Sequence, residues 1–261
     1  MNALEVSAVE LVSIAHEVGC QYVCVFTHVP EPDMPFGGVT PEMVPEMQAR
    51  MAATGVPVMN IEIFPLTEDV DVDSFRPGIE LGAQLGGKRV ITVIYDTVET
   101  RAAENLARLC DLASEYDMKV GLEFMTLTPG CTTIESAAEF IRLTGKANTG
   151  IAVDPLHLIR SGGTTDDVVA LPTELFGYAQ ICDGADLEPS SEYMTEVFER
   201  MLPGEGVFPL TAFLDAVPAA TPVEVEVPSL IGEQNGVPPL ERARRAAKAA
   251  REVLDRAQPT R

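Results

Sequence analysis

Positive charge is scarce in this chain. Its 261 residues carry 18 Lys and Arg against 40 Asp and Glu, a formal net charge of −22. Such a surface repels phosphate backbones, and no Lys/Arg run supplies the counterion-releasing face that nucleic-acid binding needs. Paired cysteine spacing is also missing. Cys20, Cys24, Cys110, Cys131 and Cys182 are odd in number and scattered, which argues for reduced thiols in the cytoplasm over a disulfide framework. No apolar run approaches the ~20 residues that span a bilayer. Met1-Asn2-Ala3-Leu4-Glu5 has neither the basic nor the apolar region of a secretory leader. A Gly-rich dinucleotide loop, a phosphate cradle and low-complexity stretches are absent as well. The expectation is a soluble, cytoplasmic protein that binds neither nucleic acid nor membrane.

What is present is a globular composition, with 46% hydrophobic and 22% charged residues. Short β-branched runs at 22–27, 58–64, 89–95, 120–125, 150–154, 176–182 and 222–227 alternate with helical patterns. Most are spaced by the length of one βα unit. Between two of them, Ala103, Leu106, Ala107, Cys110 and Ala113 repeat at helical spacing over 98–116. Residues 7–18 form another amphipathic helix, with Gly19 as its C′ residue. The pattern predicts an α/β fold, a single (β/α)8 TIM-barrel domain over 1–261, with a short or frayed first strand drawn from 1–6. A helix at about 239–257 carries seven basic residues against three acidic ones, and reads as a solvated helix packed on an acidic body. Met43, Met47 and Met51 sit at helical spacing, either as core or as an interface.

Barrel chemistry sits at the C-terminal ends of the strands. Strands alternate their side chains, so if Val223, Val225 and Val227 face the helices, Glu224 and Glu226 face the interior. The same parity turns Leu122 and Phe124 outward and Glu123 inward, Ile151 and Val153 outward and Asp154 inward. It places Tyr178, Gln180 and Cys182 on one inward face. Four consecutive strands thus aim oxygen-bearing side chains into one mouth, and buried carboxylates that close together need a cation. The alternative for any single acid, Asp154 and Asp183 included, is that it merely caps the following helix. His157 follows Asp154 by three residues, over the same mouth, with Arg160 one turn later as a cation for substrate oxygens. His28, ending the first clear strand, and Glu62, inward by parity, are further substrate-binding candidates. A structural histidine and a buried salt bridge are their respective alternatives.

These residues give the chain a resemblance. Leu122-Glu123-Phe124, Asp154-Pro155-Leu156-His157 with Arg160-Ser161-Gly162-Gly163, Gln180-Ile181-Cys182-Asp183, Pro203-Gly204-Glu205-Gly206 and Val225-Glu226-Val227 follow one another as in the xylose-isomerase-like TIM-barrel superfamily, the sugar-phosphate isomerase/epimerase group. The resemblance runs from Ser7 to about Leu254. It implies an enzyme with one divalent metal ion held by Glu123, Asp154, Gln180 and Glu226. All-oxygen ligands suit Mn²⁺, Mg²⁺ or Co²⁺ better than Zn²⁺.

It further implies a small-molecule substrate, a keto-sugar, polyol or keto-acid. Glu123 or Glu226 takes a proton beside a carbonyl to give an enediolate, while His157 and Arg160 orient the substrate oxygens. Gln180 stands where many epimerases have His, as in the dehydroshikimate dehydratases and hydroxypyruvate isomerases of the group. Arg160 and Arg200 are the best loop cations, so a phosphorylated substrate is unsupported. A dehydratase of a keto-cyclitol or dehydroshikimate-like compound is the alternative on the same site, and a non-catalytic sugar-binding barrel is a further one. The apurinic-site endonucleases, which the superfamily also resembles, need a His-rich zinc cluster and a basic groove; three histidines and a charge of −22 oppose that reading. Dimers are common among such barrels, which leaves a homodimer open.

Overall fold

The structure, a computed structural model, describes residues 3–29 and 37–257. All seven runs expected to be strands are strands: β1 (Val23–Phe26), β2 (Val58–Glu62), β3 (Arg89–Thr92), β4 (Lys119–Glu123), β5 (Thr149–Val153), β6 (Phe176–Ile181) and β7 (Val223–Val225). They are parallel throughout and lie side by side in chain order, forming a curled sheet with helices outside, the architecture of a TIM barrel. Outward residues such as Val120, Leu122, Ile151, Val153 and Ile181 join the main core under the helices. Inward Ile91, Ala152 and Tyr178 form their own small cluster in the barrel interior. Each fully buried aliphatic side chain contributes roughly 1.5–3 kcal/mol. The period-two alternation therefore fixes which face every polar strand residue must take.

The expected first strand is the exception. Residues 3–6 run as turn and bend, and Met1 and Asn2 lie outside the described residues. Ser7 caps the following helix, Ala8–Glu17, by accepting from the Glu10 amide at 3.2 Å. The backbone must therefore turn where a strand would run. Among the described residues no ladder joins β7 to β1. A cavity of about 400 Å³ lies along that seam, walled by the helices Ala8–Glu17 and Pro239–Leu254 and by inner residues of β1, β2 and β7.

The helices follow their patterns. Gly19, with φ of 71°, lets the chain leave Ala8–Glu17 in the left-handed conformation a C′ residue takes. In Glu99–Ser114, Ala103, Leu106, Cys110 and Ala113 are buried. Met47 is wholly buried and Met43 and Met51 pack against the core, so the methionine row is core. The basic C-terminal helix ends at Leu254. Arg242 pairs with Glu5, and Arg251 donates to the carbonyls of Val18 and Gly19 at 2.6 and 2.8 Å. Its alanines pack on Ala8–Glu17. No helix among the described residues is long and apolar enough to cross a membrane.

Candidate active site

Strand register brings the strand-end groups together. Glu123 ends β4, Asp154 follows β5, Gln180 lies in β6 and Glu226 follows β7; all four are buried. Asp154 does two jobs. Its Oδ1 caps the helix Pro155–Arg160, accepting from Leu156 N at 2.6 Å and His157 N at 3.4 Å. Its Oδ2 accepts from Arg200 Nη1 at 2.5 Å. The same Nη1 lies 3.2 Å from Glu226 Oε2. Gln180 Nε2 donates to that Glu226 oxygen at 2.6 Å. An ionised carboxylate only accepts, so the amide must turn its NH₂ toward Glu226. Gln180 Oε1 is left buried with no partner, and so is Arg200 Nη2.

His157 sits between Glu123 and Tyr193. Its Nε2 is 3.5 Å from Glu123 Oε1, and its Nδ1 is 2.5 Å from the Tyr193 hydroxyl. Burial, then the nearby Arg200 charge, pushes the imidazole down to about 3. Burial, reinforced by the charges of Glu226 and Asp154, holds the Glu123 carboxyl well above the usual carboxylate range.

Three carboxylates thus face one guanidinium, and an ion carrying two positive charges balances the set. Gln180 Oε1 offers the oxygen that the four-residue ligand set needs. Ligand atoms of Glu123, Asp154 and His157 lie within 4.8 Å of one another. The residues fit a divalent cation. His157 has both ring nitrogens engaged, which leaves Glu123, Asp154, Gln180 and Glu226 as the candidate ligands.

The remaining candidates sit elsewhere. Arg160 does not point a free head group at the mouth. Its Nε donates to Glu196 at 2.5 Å, and its Nη1 to the Glu188 carbonyl at 2.6 Å and to Asp186 at 3.1 Å. It ties the 186–196 segment to the helix below. Glu62 lies in the seam with Cys24 and Glu224, ligand atoms of the three within 4.8 Å of one another. Burial and the Glu224 charge hold its carboxyl well above its usual range. His28 stacks on Phe64 at 5.3 Å and meets the edge of Phe75 at 5.0 Å; burial lowers its pKa.

Asp183 is structural, the capping alternative in another form. Its carboxylate accepts from the amides of Gly184, Gly204 and Phe208 and pins the Pro203-Gly204-Glu205-Gly206 turn. Sequence reasoning missed Tyr193 altogether. It lies in a short helix, Tyr193–Phe198, where no periodicity marks it, and only the Arg160–Glu196 pair ties that helix to the mouth.

Comparison with known proteins agrees with this geometry. The inosose isomerase of Bacillus velezensis is 26% identical over 156 residues, 56% of this chain and 54% of that protein. The 3-dehydroshikimate dehydratase of Pseudomonas aeruginosa is 28% identical over 128 residues, 48% of this chain and 20% of that protein. The chain thus spans about half the length of the first of these curated relatives and a fifth of the second. Among solved structures, an IolI protein with a bound zinc atom superposes with a TM-score of 0.80 at 20% identity, covering 99% of this chain and 97% of that one. A family model described as xylose isomerase-like TIM barrel matches residues 12–257, and the chain belongs to that family.

Proposed function

We propose that the chain is a divalent-metal-dependent isomerase or epimerase. Its substrate is a small, unphosphorylated keto-sugar, polyol or keto-acid, and its chemistry is proton transfer beside a carbonyl. The observation that carries this reading is the orphaned Gln180 Oε1 within a buried set of three carboxylates. That oxygen makes chemical sense as a ligand of an ion held by Glu123, Asp154, Gln180 and Glu226. Oxygen donors favour Mn²⁺, Mg²⁺ or Co²⁺. Bound there, the ion supplies Lewis acidity that acidifies the carbon next to a carbonyl.

The chain's own residues do the rest. Glu123 and Glu226 take and return the proton, and the raised Glu123 pKa places it nearer the working range of a general acid–base. His157 holds Glu123 in place. Arg200 Nη2, buried without a partner, is free to donate to a substrate oxygen. Both Arg160 and Arg200 spend charge on protein carboxylates, which fits an unphosphorylated substrate. His28 and Glu62 would contact a substrate only if it reaches the seam between β1 and β7. Five free cysteines fit a reducing, cytoplasmic setting.

The second reading, a dehydratase, is favoured by Gln180 and by the dehydroshikimate dehydratase relative. It shares the enolate and differs in expelling a β-hydroxyl.

The test is exchange from D₂O into unphosphorylated ketoses, inososes and dehydroshikimate with Mn²⁺ present, followed by NMR. Deuterium beside the carbonyl together with an epimer or isomer supports the first reading, and loss of water supports the second. Glu123→Gln and Glu226→Gln are expected to lower exchange by about 10²–10⁴-fold. Exchange that neither substitution slows contradicts the assignment.

A further inference from the structure

We propose that Tyr193 is a positioning residue of the mouth: its hydroxyl fixes the His157 ring so that Nε2–H is turned onto Glu123, presenting that carboxylate in one orientation. The geometry is a relay of three buried side chains from three elements. The Tyr193 hydroxyl lies 2.5 Å from His157 Nδ1, with the rings edge to face at 5.8 Å between centroids, and His157 Nε2 lies 3.5 Å from Glu123 Oε1.

An ionised carboxylate has no hydrogen to give, so the nitrogen facing Glu123 must carry one. A neutral ring then presents a lone pair at Nδ1, and the phenol donates to it. Burial keeps the imidazole neutral and the phenol protonated, so both groups hold these roles. Without the phenol, Nδ1 becomes a buried acceptor with no partner. The ring then gains by moving its hydrogen to Nδ1, which turns a lone pair on Glu123.

Tyr193 is itself held. Three residues on, Glu196 accepts from Arg160 Nε at 2.5 Å, and Arg160 also bonds the carbonyls of Asp186 and Glu188. His157 and Arg160 share the helix Pro155–Arg160, so two contacts one turn apart dock the Tyr193–Phe198 helix on it. Arg160 sets where that helix lies; Tyr193 sets how the ring stands.

The catalytic consequence rests on the function proposed above, whereas the ring geometry does not. The chain has three histidines, so ring ¹⁵N spectra of histidine-labelled protein are simple, and His157→Asn assigns the signal. The wild type is expected to show His157 as one tautomer with its hydrogen at Nε2. Tyr193→Phe is expected to turn it into a mixture of both tautomers. In the exchange assay the same variant is expected to lose about tenfold in kcat with KM unchanged, the size of loss usual for a group that orients a ligand. A wild-type ring with its hydrogen at Nδ1, or a Tyr193→Phe spectrum identical to the wild type, overturns the proposal. Because the wild-type spectrum alone decides between tautomers, neither a misfolded variant nor an unreactive substrate can mask the answer.

Discussion

A buried carboxylate is costly unless something shares its charge, and in the mouth of this sheet three of them share Arg200. Its Nη1 reaches Asp154 at 2.5 Å and Glu226 at 3.2 Å with no exposure to solvent. Removing one partner of such a cluster leaves uncompensated buried charge, so Arg200→Ala in metal-free protein is expected to lose about 3–5 kcal/mol. Urea unfolding measures it, and a loss under about 1 kcal/mol, the size of an exposed pair, would contradict the picture. Glu62 gives a pH test away from the mouth. Its folded-state pKa is raised by burial and by Glu224, so below the unfolded value of about 4.3 it is protonated in both states. As pH rises past that value the unfolded chain sheds its proton first, and the native state is penalised. Glu62→Gln is therefore expected to match the wild type near pH 4 and to be more stable near pH 8. Equal differences at both pH values would show that Glu62 does not titrate this way. The inward positions of Glu123, Asp154, Gln180 and Glu226 were legible because strand parity is a local property. The partners of Arg200 were not, since a loop residue's neighbours are set by tertiary contacts that leave no period in the sequence.

At the scale of elements, the strands and long helices were readable from alternation and helical spacing, and each βα unit places its strand end in the mouth. The stretch after β6 was not readable. Its course is set by side chains that bond backbone: Asp183 accepts three amides, and Arg160 holds Asp186, Glu188 and Glu196. The Pro203-Gly204-Glu205-Gly206 motif, read as a signature, has a packing reason. A Cβ on Gly206 would lie 2.3 Å from both Asp183 Oδ1 and the Gly184 carbonyl. Gly206→Ala is expected to cost about 1–3 kcal/mol, as overpacking does. A change within about 0.5 kcal/mol in urea unfolding, ordinary for a surface site, would mean the turn adapts freely. The expected first strand fails for a comparable reason: Ser7 caps a helix, and the backbone before it turns.

Across the whole molecule, the acidic balance and the central charge cluster point the same way. The chain carries a net charge of −22, and its mouth gathers three carboxylates around one arginine and an unpartnered amide oxygen. An ion bound only by the folded protein stabilises it by mass action, about 2.7 kcal/mol at a hundred times the dissociation constant. The most direct measurement of the central claim is divalent-metal stoichiometry of the purified protein, by calorimetric titration with Mn²⁺, Mg²⁺ and Co²⁺. One ion per chain in the wild type is expected, together with a raised unfolding midpoint, and both are lost in Asp154→Asn and Glu226→Gln. A wild-type protein that takes up none of these ions, or variants that bind as it does, would mean that the strand-end carboxylates hold the fold and not a metal.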